Sequence, residues 1–206
     1  MLTLFTWGTP NGQKVSIMLE ECGLRYSVKP IDLGAGEQFD PDFLALNPNN
    51  KIPLLQDDEG PDGSPITLFE SGAILVYLAG KCGQFLPASA HGRYETLQWL
   101  MFQMASLGPM LGQAHHFLRF APEAVPYAMK RYGDEARRLY RVLETRLEGR
   151  EWIAADLYTI ADIAAFPWIA CHEYQQIDLA HYPNVQAWFD RIAARPAVQR
   201  GLKVPK

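Results

Sequence analysis

Residues 2–23 read LTLFTWGTPNGQKVSIMLEECG, and this stretch predicts how the chain begins to fold. Residues 2–6 alternate with the period of a β-strand, and the turn-forming segment GTPNG at 8–12 then breaks that period. Four apolar side chains follow at the helical spacing i, i+3, i+4 and i+7: Val15, Met18, Leu19 and Cys22. They predict a helix that packs through one apolar face and ends at Gly23.

Strand and helix patterns continue to about residue 81. Strands are predicted at 26–31, 52–55 and 66–68, and helices at 40–46 and 70–81. Asp40 and Pro41 are typical of a helix start, because Asp is a common N-cap and proline fits the first helical position. The resulting order is βαβαββα, a β-α-β unit followed by a hairpin. It predicts an α/β N-terminal domain over residues 1–82.

Beyond Gly83 the strand patterns nearly vanish and helical periodicity takes over. Helices are predicted at 91–119, 123–148, 160–174 and 184–195. Thr159 and Asp162 have the spacing of a capping box directly before an apolar run, which favours a helix start at that point. Residues 83–90 are interpreted as a linker, and residues 91–206 as an all-helical C-terminal domain.

Composition excludes several classes of function. The 206 residues are 48% hydrophobic and 20% charged, the balance of a globular protein. The net charge is -4 and no dense Lys/Arg cluster occurs, so the sequence lacks the basic patch that binds nucleic acid or an anionic membrane. No secretory signal pattern opens the sequence, and the longest nearly apolar run, 163–171, is too short to span a bilayer. We expect a cytoplasmic protein that binds neither nucleic acid nor membrane.

Three cysteines, Cys22, Cys82 and Cys171, are odd in number and far apart in the sequence. This arrangement argues against a disulfide framework or a cysteine-based metal site, and it fits a reducing compartment. Cys22 and Cys171 are predicted to be buried and inert on apolar helix faces, and Cys82 to be exposed near a helix end. His115 and His116 are adjacent, so on a helix they point about 100° apart and do not form a chelating pair. No metal site is expected.

The two-part pattern, with three short motifs, resembles the cytosolic glutathione transferases over essentially the whole chain. The motifs are Asn50-Lys51-Ile52-Pro53, Glu70-Ser71 and Thr159-x-x-Asp162. Further segments are similar to the bacterial nu class: TPNG at 9–12, PNNKIP at 48–53, LFESGAI at 68–74 and GPMLGQ at 108–113. The resemblance implies a thioredoxin-like N-terminal domain, an all-helical C-terminal domain and a homodimer. It also implies binding of glutathione, reduced or oxidised, and reduction of disulfides with little conjugation activity.

Glutathione has a carboxylate at each end, an α-ammonium group and a thiol in the middle, and Glu70-Ser71 suits one end of it. At a helix start, free N–H groups and the positive end of the dipole hold a carboxylate, and the Ser71 hydroxyl adds a donor. Glu70 can take the ammonium group. Taken alone, the pair is also explained by a plain helix cap, in which Ser71 caps and Glu70 favours the dipole.

The peptide backbone and the other carboxylate of glutathione suit a second set of residues. The resemblance implies a cis Ile52–Pro53 bond that lets the Ile52 backbone pair with the tripeptide; a proline that simply begins an edge strand is the alternative. Lys51 and Gln38 match family residues that reach the glycyl carboxylate. For Lys51, a solvated lysine beside a turn is the alternative.

The thiol end is expected to meet Thr9 and Asn11, where strand one turns into helix one. A helix N-terminus lowers a thiol pKa, and hydroxyl or amide donors add to that effect. The turn holds no cysteine and no C-x-x-C motif, so the sulfur of glutathione is expected to be the nucleophile. A plain loop-to-helix cap is the alternative at this turn. Arg131 matches an arginine that contacts glutathione in the nu class; a solvent-facing helical arginine is the alternative.

The predicted function is that of an enzyme, a glutathione-dependent disulfide-bond oxidoreductase acting on small-molecule or mixed disulfides. In this mechanism the thiolate of bound glutathione attacks the substrate. Two alternatives stay open. One is a glutathione transferase that conjugates glutathione to small electrophiles, and the other is a non-catalytic regulatory module that binds glutathione, because a fold alone does not fix a function.

Overall fold

The computed structural model describes residues 1–205, which form two compact units. The first, here called the sheet unit, comprises Met1–Gln84 and the segment that begins at Arg195. The second, the helical unit, comprises Phe85–Ala194. The predicted α/β region followed by a helical region is confirmed as the thioredoxin-like and all-helical parts of the fold. The predicted boundaries at residues 82 and 90 stay a prediction.

The sheet unit contains four strands in the order β2-β1-β3-β4. They are β1 (Leu2–Thr6), β2 (Tyr26–Pro30), β3 (Leu54–Asp57) and β4 (Ile66–Phe69). β1 is parallel to β2 and antiparallel to β3, and β3 is antiparallel to β4. Helices α1 (Pro10–Glu21) and α2 (Pro41–Leu46) lie between the strands along the chain, and α3 (Ser71–Cys82) follows β4. This confirms the predicted order βαβαββα.

Helix α1 buries the apolar face that the sequence predicts, but only in part. Val15, Met18 and Leu19 are fully buried. Cys22, the fourth residue of the pattern, is half-exposed, so the prediction that it is buried is wrong. The helix ends at Glu21, and Gly23 then turns the chain with φ = 62°, a left-handed conformation that glycine adopts readily. Cys22 is therefore the C-cap residue and lies at the helix end rather than within its packed face.

The first turn of α1 lies directly on the end of β1. A Cβ atom at Gly12 would lie 2.4 Å from both Thr6 Oγ1 and the Trp7 carbonyl oxygen, so no larger residue fits without a shift. The close approach fixes the helix N-terminus beside the carboxyl end of the strand.

Strand β3 begins two residues later than predicted, at Leu54, and runs to Asp57. Ile52 and Pro53 precede the ladder and are joined by a cis peptide bond, as the resemblance implies. Asp57 is buried at the end of the strand, where it accepts a hydrogen bond from the Tyr77 hydroxyl (2.6 Å) and pairs with Lys81 Nζ (2.7 Å). These two contacts tie α3 to the sheet.

The chain's last helix, predicted as part of the C-terminal domain, packs in the sheet unit instead. The residues Pro196–Gly201 are helical, and the Ser16 hydroxyl donates to the Gly201 carbonyl oxygen at 2.7 Å. A Cβ atom at Gly201 would lie 2.6 Å from Ile17 Cα, so this helix rests on the backbone of α1. The Arg195 guanidinium group donates a bidentate pair of hydrogen bonds to the Glu21 carboxylate (2.6 and 2.9 Å). A helix of six residues is too short for its sequence pattern to predict which element it packs against.

The helical unit contains five α-helices among its described residues, and we number the helices of the whole chain in order. They are α4 (Ala90–Phe102), α5 (Gly108–His115), α6 (Pro126–Leu147), α7 (Ile160–Ile169) and α8 (Pro183–Ala193), so that Pro196–Gly201 is α9. The predicted helix 91–119 contains two π-helical turns, at Gln103–Leu107 and His116–Phe120. Within residues 1–205, no helix is both long and apolar enough to cross a membrane.

Helix α7 begins with the predicted capping box. The Thr159 hydroxyl accepts from the Ala161 N–H (3.3 Å), and Asp162 Oδ2 accepts from the Thr159 N–H (2.9 Å). Asp162 is fully buried and also accepts from the Ile153 N–H (2.9 Å) and from Trp188 Nε1 (2.8 Å). Asp162 therefore joins the start of α7 to the preceding loop and to α8, which supports a structural role.

Candidate functional site

The N-termini of α1 and α3 and the loop before β3 enclose a small cavity of about 70 Å³ in the sheet unit. Its lining residues are Asn11, Asn47, Asn49, Lys51, Ile52, Pro53, Glu70 and Ser71. Five of the eight site residues that the sequence predicts therefore lie around one cavity, although they come from three separate parts of the chain. The other three, Thr9, Gln38 and Arg131, are not among its lining residues.

Ser71 is the first residue of α3 and is only 7% exposed. Its hydroxyl oxygen accepts a hydrogen bond from Lys14 Nζ at 3.4 Å. An ammonium group can only donate, so the Ser71 oxygen is the acceptor in this bond. The first N–H groups of a helix have no partner within the helix, and together with this hydroxyl they form an arrangement suited to an anion. The N-cap position belongs to Glu70, so Ser71 is not merely the cap.

Lys14 is a residue of this site that the sequence analysis missed. It lies in α1, is 2% exposed, and reaches under the start of α3 to Ser71. Burial lowers its pKa to about 7, and the charge of Glu70 acts in the opposite direction. A buried lysine next to an anion-binding helix start can supply a positive charge to a ligand carboxylate. The sequence did contain a signal for this burial. Lys14 lies three residues before Ile17 and four before Met18, so on a helix it shares their buried face.

Glu70 precedes α3 with an unusual backbone conformation, φ = 71° and ψ = 109°. A non-glycine residue in this region costs about 1–3 kcal/mol, and such residues often occur at ligand sites. The Glu70 side chain is exposed and makes no capping hydrogen bond to the helix. Its carboxylate therefore faces solvent at the cavity rim, where a cationic group of a ligand can reach it.

The loop before β3 is held by Asn47, a second residue that the sequence analysis missed. Asn47 is 1% exposed; its Nδ2 donates to the Lys51 carbonyl oxygen (2.7 Å), and its Oδ1 accepts from the Asn49 N–H (2.9 Å). The second bond is an Asx turn, which Asn favours. Asn47 thereby fixes the backbone that presents Lys51 and Ile52. The Asn-Pro-Asn sequence at 47–49 was the available signal.

Two predicted residues of the sheet unit lie outside the cavity lining. Thr9 is the N-cap of α1, and its Oγ1 accepts from the Gly12 N–H at 3.3 Å, so the predicted alternative of a helix cap applies to it. The hydroxyl proton of Thr9 is still available for a further acceptor. Gln38 lies in a 3-10 turn, Glu37–Phe39, and its Oε1 is a buried acceptor without a hydrogen-bond partner among the described residues.

Arg131 lies in the helical unit, on α6, with its side chain exposed. It lines a pocket of about 670 Å³ within that unit, together with Met110, Tyr127, Lys130, Tyr132 and Arg138 among others. This pocket is much larger than the cavity of the sheet unit, and its lining includes Tyr127, the second residue of α6. The role of Arg131 toward glutathione stays a prediction.

The described residues contain no group of three or more His, Cys, Asp or Glu side chains placed to hold a metal ion. His115 is largely buried and its Nε2 accepts a hydrogen bond from Gln175 Nε2 at 2.8 Å. Burial, aided by the charge of Arg119, lowers the pKa of His115 to about 4, so the ring is neutral. Cys171, predicted to be buried in a helix, lies just beyond α7 and is half-buried.

Comparison with known proteins identifies the family. Residues 1–80 match the family model described as the glutathione S-transferase N-terminal domain, and residues 109–196 match that of the C-terminal domain. The disulfide-bond oxidoreductase YfcG of Escherichia coli K12 is 51% identical over 203 residues, which are 98% of this chain and 94% of that protein. The chain belongs to the glutathione S-transferase family.

Solved structures resemble this glutathione S-transferase over its whole length. A glutathione transferase from Burkholderia graminis, with two glutathione molecules bound per subunit, has a TM-score of 0.95 and 51% identity, covering 100% of this chain and 88% of that one. A glutathione transferase from Pseudomonas putida, with one glutathione disulfide bound per subunit, has a TM-score of 0.96 and 47% identity, covering 100% of this chain and 92% of that one.

Proposed function

We propose that this glutathione S-transferase is a glutathione-dependent disulfide-bond oxidoreductase in which glutathione supplies the attacking sulfur. The observation that carries the proposal is the composition of the turn that opens α1: it presents Thr9 and Asn11 but no cysteine. Cys22 lies at the opposite end of this 12-residue helix, roughly 18 Å away at 1.5 Å per residue. Cys82 lies at the far end of α3, and Cys171 belongs to the helical unit.

The start of α3 suits the glutamyl end of glutathione. The carboxylate would accept hydrogen bonds from the first N–H groups of the helix and from the Ser71 hydroxyl, with Lys14 placing a buried positive charge behind them. The ammonium group would pair with the Glu70 carboxylate at the rim. Because each charged group of the peptide meets an opposite charge, these contacts fix the orientation in which the peptide binds.

The loop before β3 suits the middle and the glycyl end. Ile52 lies outside the β3 ladder, which begins at Leu54, and the backbone of a peptide could pair with it as an added strand. Lys51 and Gln38 would contact the glycyl carboxylate, Lys51 through its charge and Gln38 through its amide N–H groups. The buried Oε1 of Gln38, an acceptor without a partner in residues 1–205, would suit a ligand N–H group.

At the start of α1 the Thr9 hydroxyl and Asn11 would donate to the sulfur of glutathione. Donors to a thiolate and the positive end of a helix dipole both favour the charged form, so the thiol pKa falls. Glutathione is a substrate here: its thiolate displaces one sulfur of the disulfide, and a second glutathione then releases the other sulfur as a thiol, forming glutathione disulfide. The relatives solved with two glutathione molecules or one glutathione disulfide per subunit fit this reaction.

We further propose a cytoplasmic homodimer in which Arg131 contacts glutathione. The exposed side chains of Tyr94 and Met101, 71% and 53% accessible, lie seven residues apart on one face of α4, and this spacing supports a contact with a second copy. Sedimentation equilibrium tests the dimer: a monomer at micromolar concentration would contradict it. An unchanged glutathione Kd in Arg131→Ala would remove Arg131 from the site.

A pair of assays tests the proposed activity. Reduction of hydroxyethyl disulfide, coupled to glutathione reductase, is measured beside conjugation of chlorodinitrobenzene with the same enzyme preparation. We expect turnover in the first assay and little in the second. Turnover in the second assay alone would replace the proposal with a conjugating transferase. Glutathione binding without turnover in either assay would favour a regulatory module.

A further inference from the structure

Two cysteines that are far apart in the sequence meet at the edge of the sheet unit. Cys22 Sγ and Cys82 Sγ are 2.9 Å apart, with Cys22 as hydrogen-bond donor, although sixty residues separate them. Both are free thiols and both are half-buried. Because the bond length of a disulfide is about 2.05 Å, a small movement of the side chains would bring the two sulfur atoms to bonding distance.

The two thiols occupy equivalent places on two helices. Cys22 is the C-cap of α1 and Cys82 is the last residue of α3, and each is followed by a glycine in a left-handed conformation, Gly23 and Gly83. Each helix is 12 residues long, and the N-termini of the same two helices form the cavity described above. The thiol pair is therefore separate from that cavity and lies at the other end of both helices.

The surroundings assign different roles to the two sulfur atoms. Burial raises the pKa of the Cys22 thiol, and the contacts with Cys82 and the charge of Glu21 raise it further. Cys22 donates the sulfur–sulfur hydrogen bond, and Cys82 Sγ is its acceptor. Cys82 is thus the sulfur that can attack first, and Cys22 is the sulfur that can follow.

We propose that Cys22 and Cys82 form a redox-active dithiol that glutathione disulfide oxidises to an intramolecular disulfide. The Cys82 thiolate attacks one sulfur of glutathione disulfide, forms a mixed disulfide and releases one glutathione. Cys22 then loses its proton and attacks Cys82 Sγ, which forms the protein disulfide and releases the second glutathione. The two protein thiols lose two hydrogen atoms in total, and one glutathione disulfide becomes two glutathione molecules.

Oxidation would join α1 and α3 covalently without touching the cavity. A cross-link over sixty residues restricts the unfolded chain, so we expect the oxidised protein to melt several degrees higher than the reduced one. The stability of the protein would thereby depend on the ratio of reduced to oxidised glutathione. Reversible pairs of this kind are the form in which disulfides occur in reducing compartments.

The test equilibrates the full-length reduced protein with glutathione and glutathione disulfide at a series of ratios, traps free thiols by alkylation, and measures intact and peptide masses. We expect the oxidised protein to lose the mass of two hydrogen atoms, to keep one alkylatable cysteine, and to yield a linked peptide pair that contains Cys22 and Cys82. Cys171→Ser, the matched control, should show the same transition at the same ratio.

Single variants separate the two roles. Cys22→Ser should accumulate glutathione on Cys82 as a mixed disulfide, whereas Cys82→Ser should react much more slowly. Three alkylatable cysteines at the most oxidising ratio would overturn the proposal. So would a stable glutathione adduct on the wild-type protein without loss of two hydrogen atoms, or a disulfide between two chains. These outcomes are measured with the wild-type protein, so the test remains valid even if a variant fails to fold.

Discussion

The two ends of α1 and α3 differ in chemistry, although the same pair of helices supplies both. At the N-terminal ends, Asn11, Glu70 and Ser71 line a cavity, and the buried Lys14 donates a hydrogen bond to Ser71. At the C-terminal ends, the thiols of Cys22 and Cys82 meet at a distance of 2.9 Å. Free N–H groups stabilise an anion, whereas burial raises the pKa of the Cys22 thiol. The difference teaches that one pair of helices can hold a polar cavity at one end and a pair of thiols at the other, with the two kept apart by the length of the helices.

The largest effect is expected from Lys14→Met. The pKa of Lys14 is about 7 in the folded protein against 10.5 for an ordinary lysine. Between these values the unfolded chain binds the proton and the folded protein does not, so wild-type stability rises with pH across this window. Urea unfolding at pH 7 and pH 10 should show wild type gaining on the order of a few kcal/mol relative to Lys14→Met. Lys203→Met, which removes an exposed lysine, is the control. Wild type should show no such gain relative to this variant.

Glutathione binding should also change the protonation of Lys14. A carboxylate bound at Ser71 favours the charged ammonium group, so binding at pH 8 should take up part of a proton. Calorimetry with S-methylglutathione, which lacks an ionisable thiol, in buffers of different ionisation enthalpy measures this uptake. Binding without proton uptake in wild type would place the carboxylate away from Lys14.

The second effect concerns the position of the α1 N-terminus. Gly12→Ala forces a methyl group to within 2.4 Å of Thr6 Oγ1 and the Trp7 carbonyl oxygen, and overpacking of this kind costs about 1–3 kcal/mol. We expect lower stability and weaker glutathione binding. Gly8→Ala is the matched control, because a Cβ atom at Gly8 meets nothing within 4 Å. Equal melting temperatures for the two variants would contradict the close approach.

The third effect concerns the thiol of bound glutathione. Thr9→Ala combined with Asn11→Ala removes the proposed donors, so the thiol pKa of bound glutathione should rise and the reductase rate at neutral pH should fall. Each unit of rise lowers the thiolate fraction about tenfold when the pH lies below the pKa. The pH–rate profile should shift to higher pH, while the Kd of S-methylglutathione should change little. A loss of rate without a shift of the profile would remove both residues from this role.

The fourth effect separates binding from strain at Glu70. Glu70→Ala should weaken glutathione binding by about 1 kcal/mol, a modest value because the side chain is exposed. Glu70→Gly should weaken binding to a similar degree but raise the melting temperature, since glycine adopts φ = 71° without strain. If both variants bind glutathione as wild type does, Glu70 does not hold the ammonium group.

The smallest effect is expected at the other end of the helices. Replacing Cys22, Cys82 and Cys171 together with serine should leave the reductase rate within about twofold of wild type, because the attacking sulfur belongs to glutathione. Circular dichroism and the Kd for glutathione serve as controls for folding. A folded, glutathione-binding variant without turnover would show that a protein cysteine takes part in the reaction.

The strands and helices could be predicted because their signals are local. Alternation at residues 2–6 and the spacing of Val15, Met18 and Leu19 report burial directly, and turn residues mark most boundaries. The same holds for Asn11, Glu70 and Ser71, which stand at helix starts, where the groups that bind an anion are already present in the backbone.

Features that depend on tertiary contacts could not be predicted. Lys14 differs from a solvated lysine only because α3 covers it, and Asn47 matters because its side chain reaches back to Lys51. Cys22 and Cys82 meet only after α1 and α3 have packed, and nothing in a spacing of sixty residues indicates this. Pairing of this kind requires knowledge of which helices are neighbours.

The packing of α9 on α1 has a consequence for synthesis on the ribosome. The sheet unit is discontinuous in the chain: Gly201 lies against Ile17, and the whole helical unit is translated between the two. The helical unit, by contrast, is one continuous stretch that is complete before α9 exists. Although domains generally fold in the order of their synthesis, the first unit to emerge here is the last to be finished. Until α9 has left the ribosome, the side of α1 that Gly201 covers stays open to chaperones.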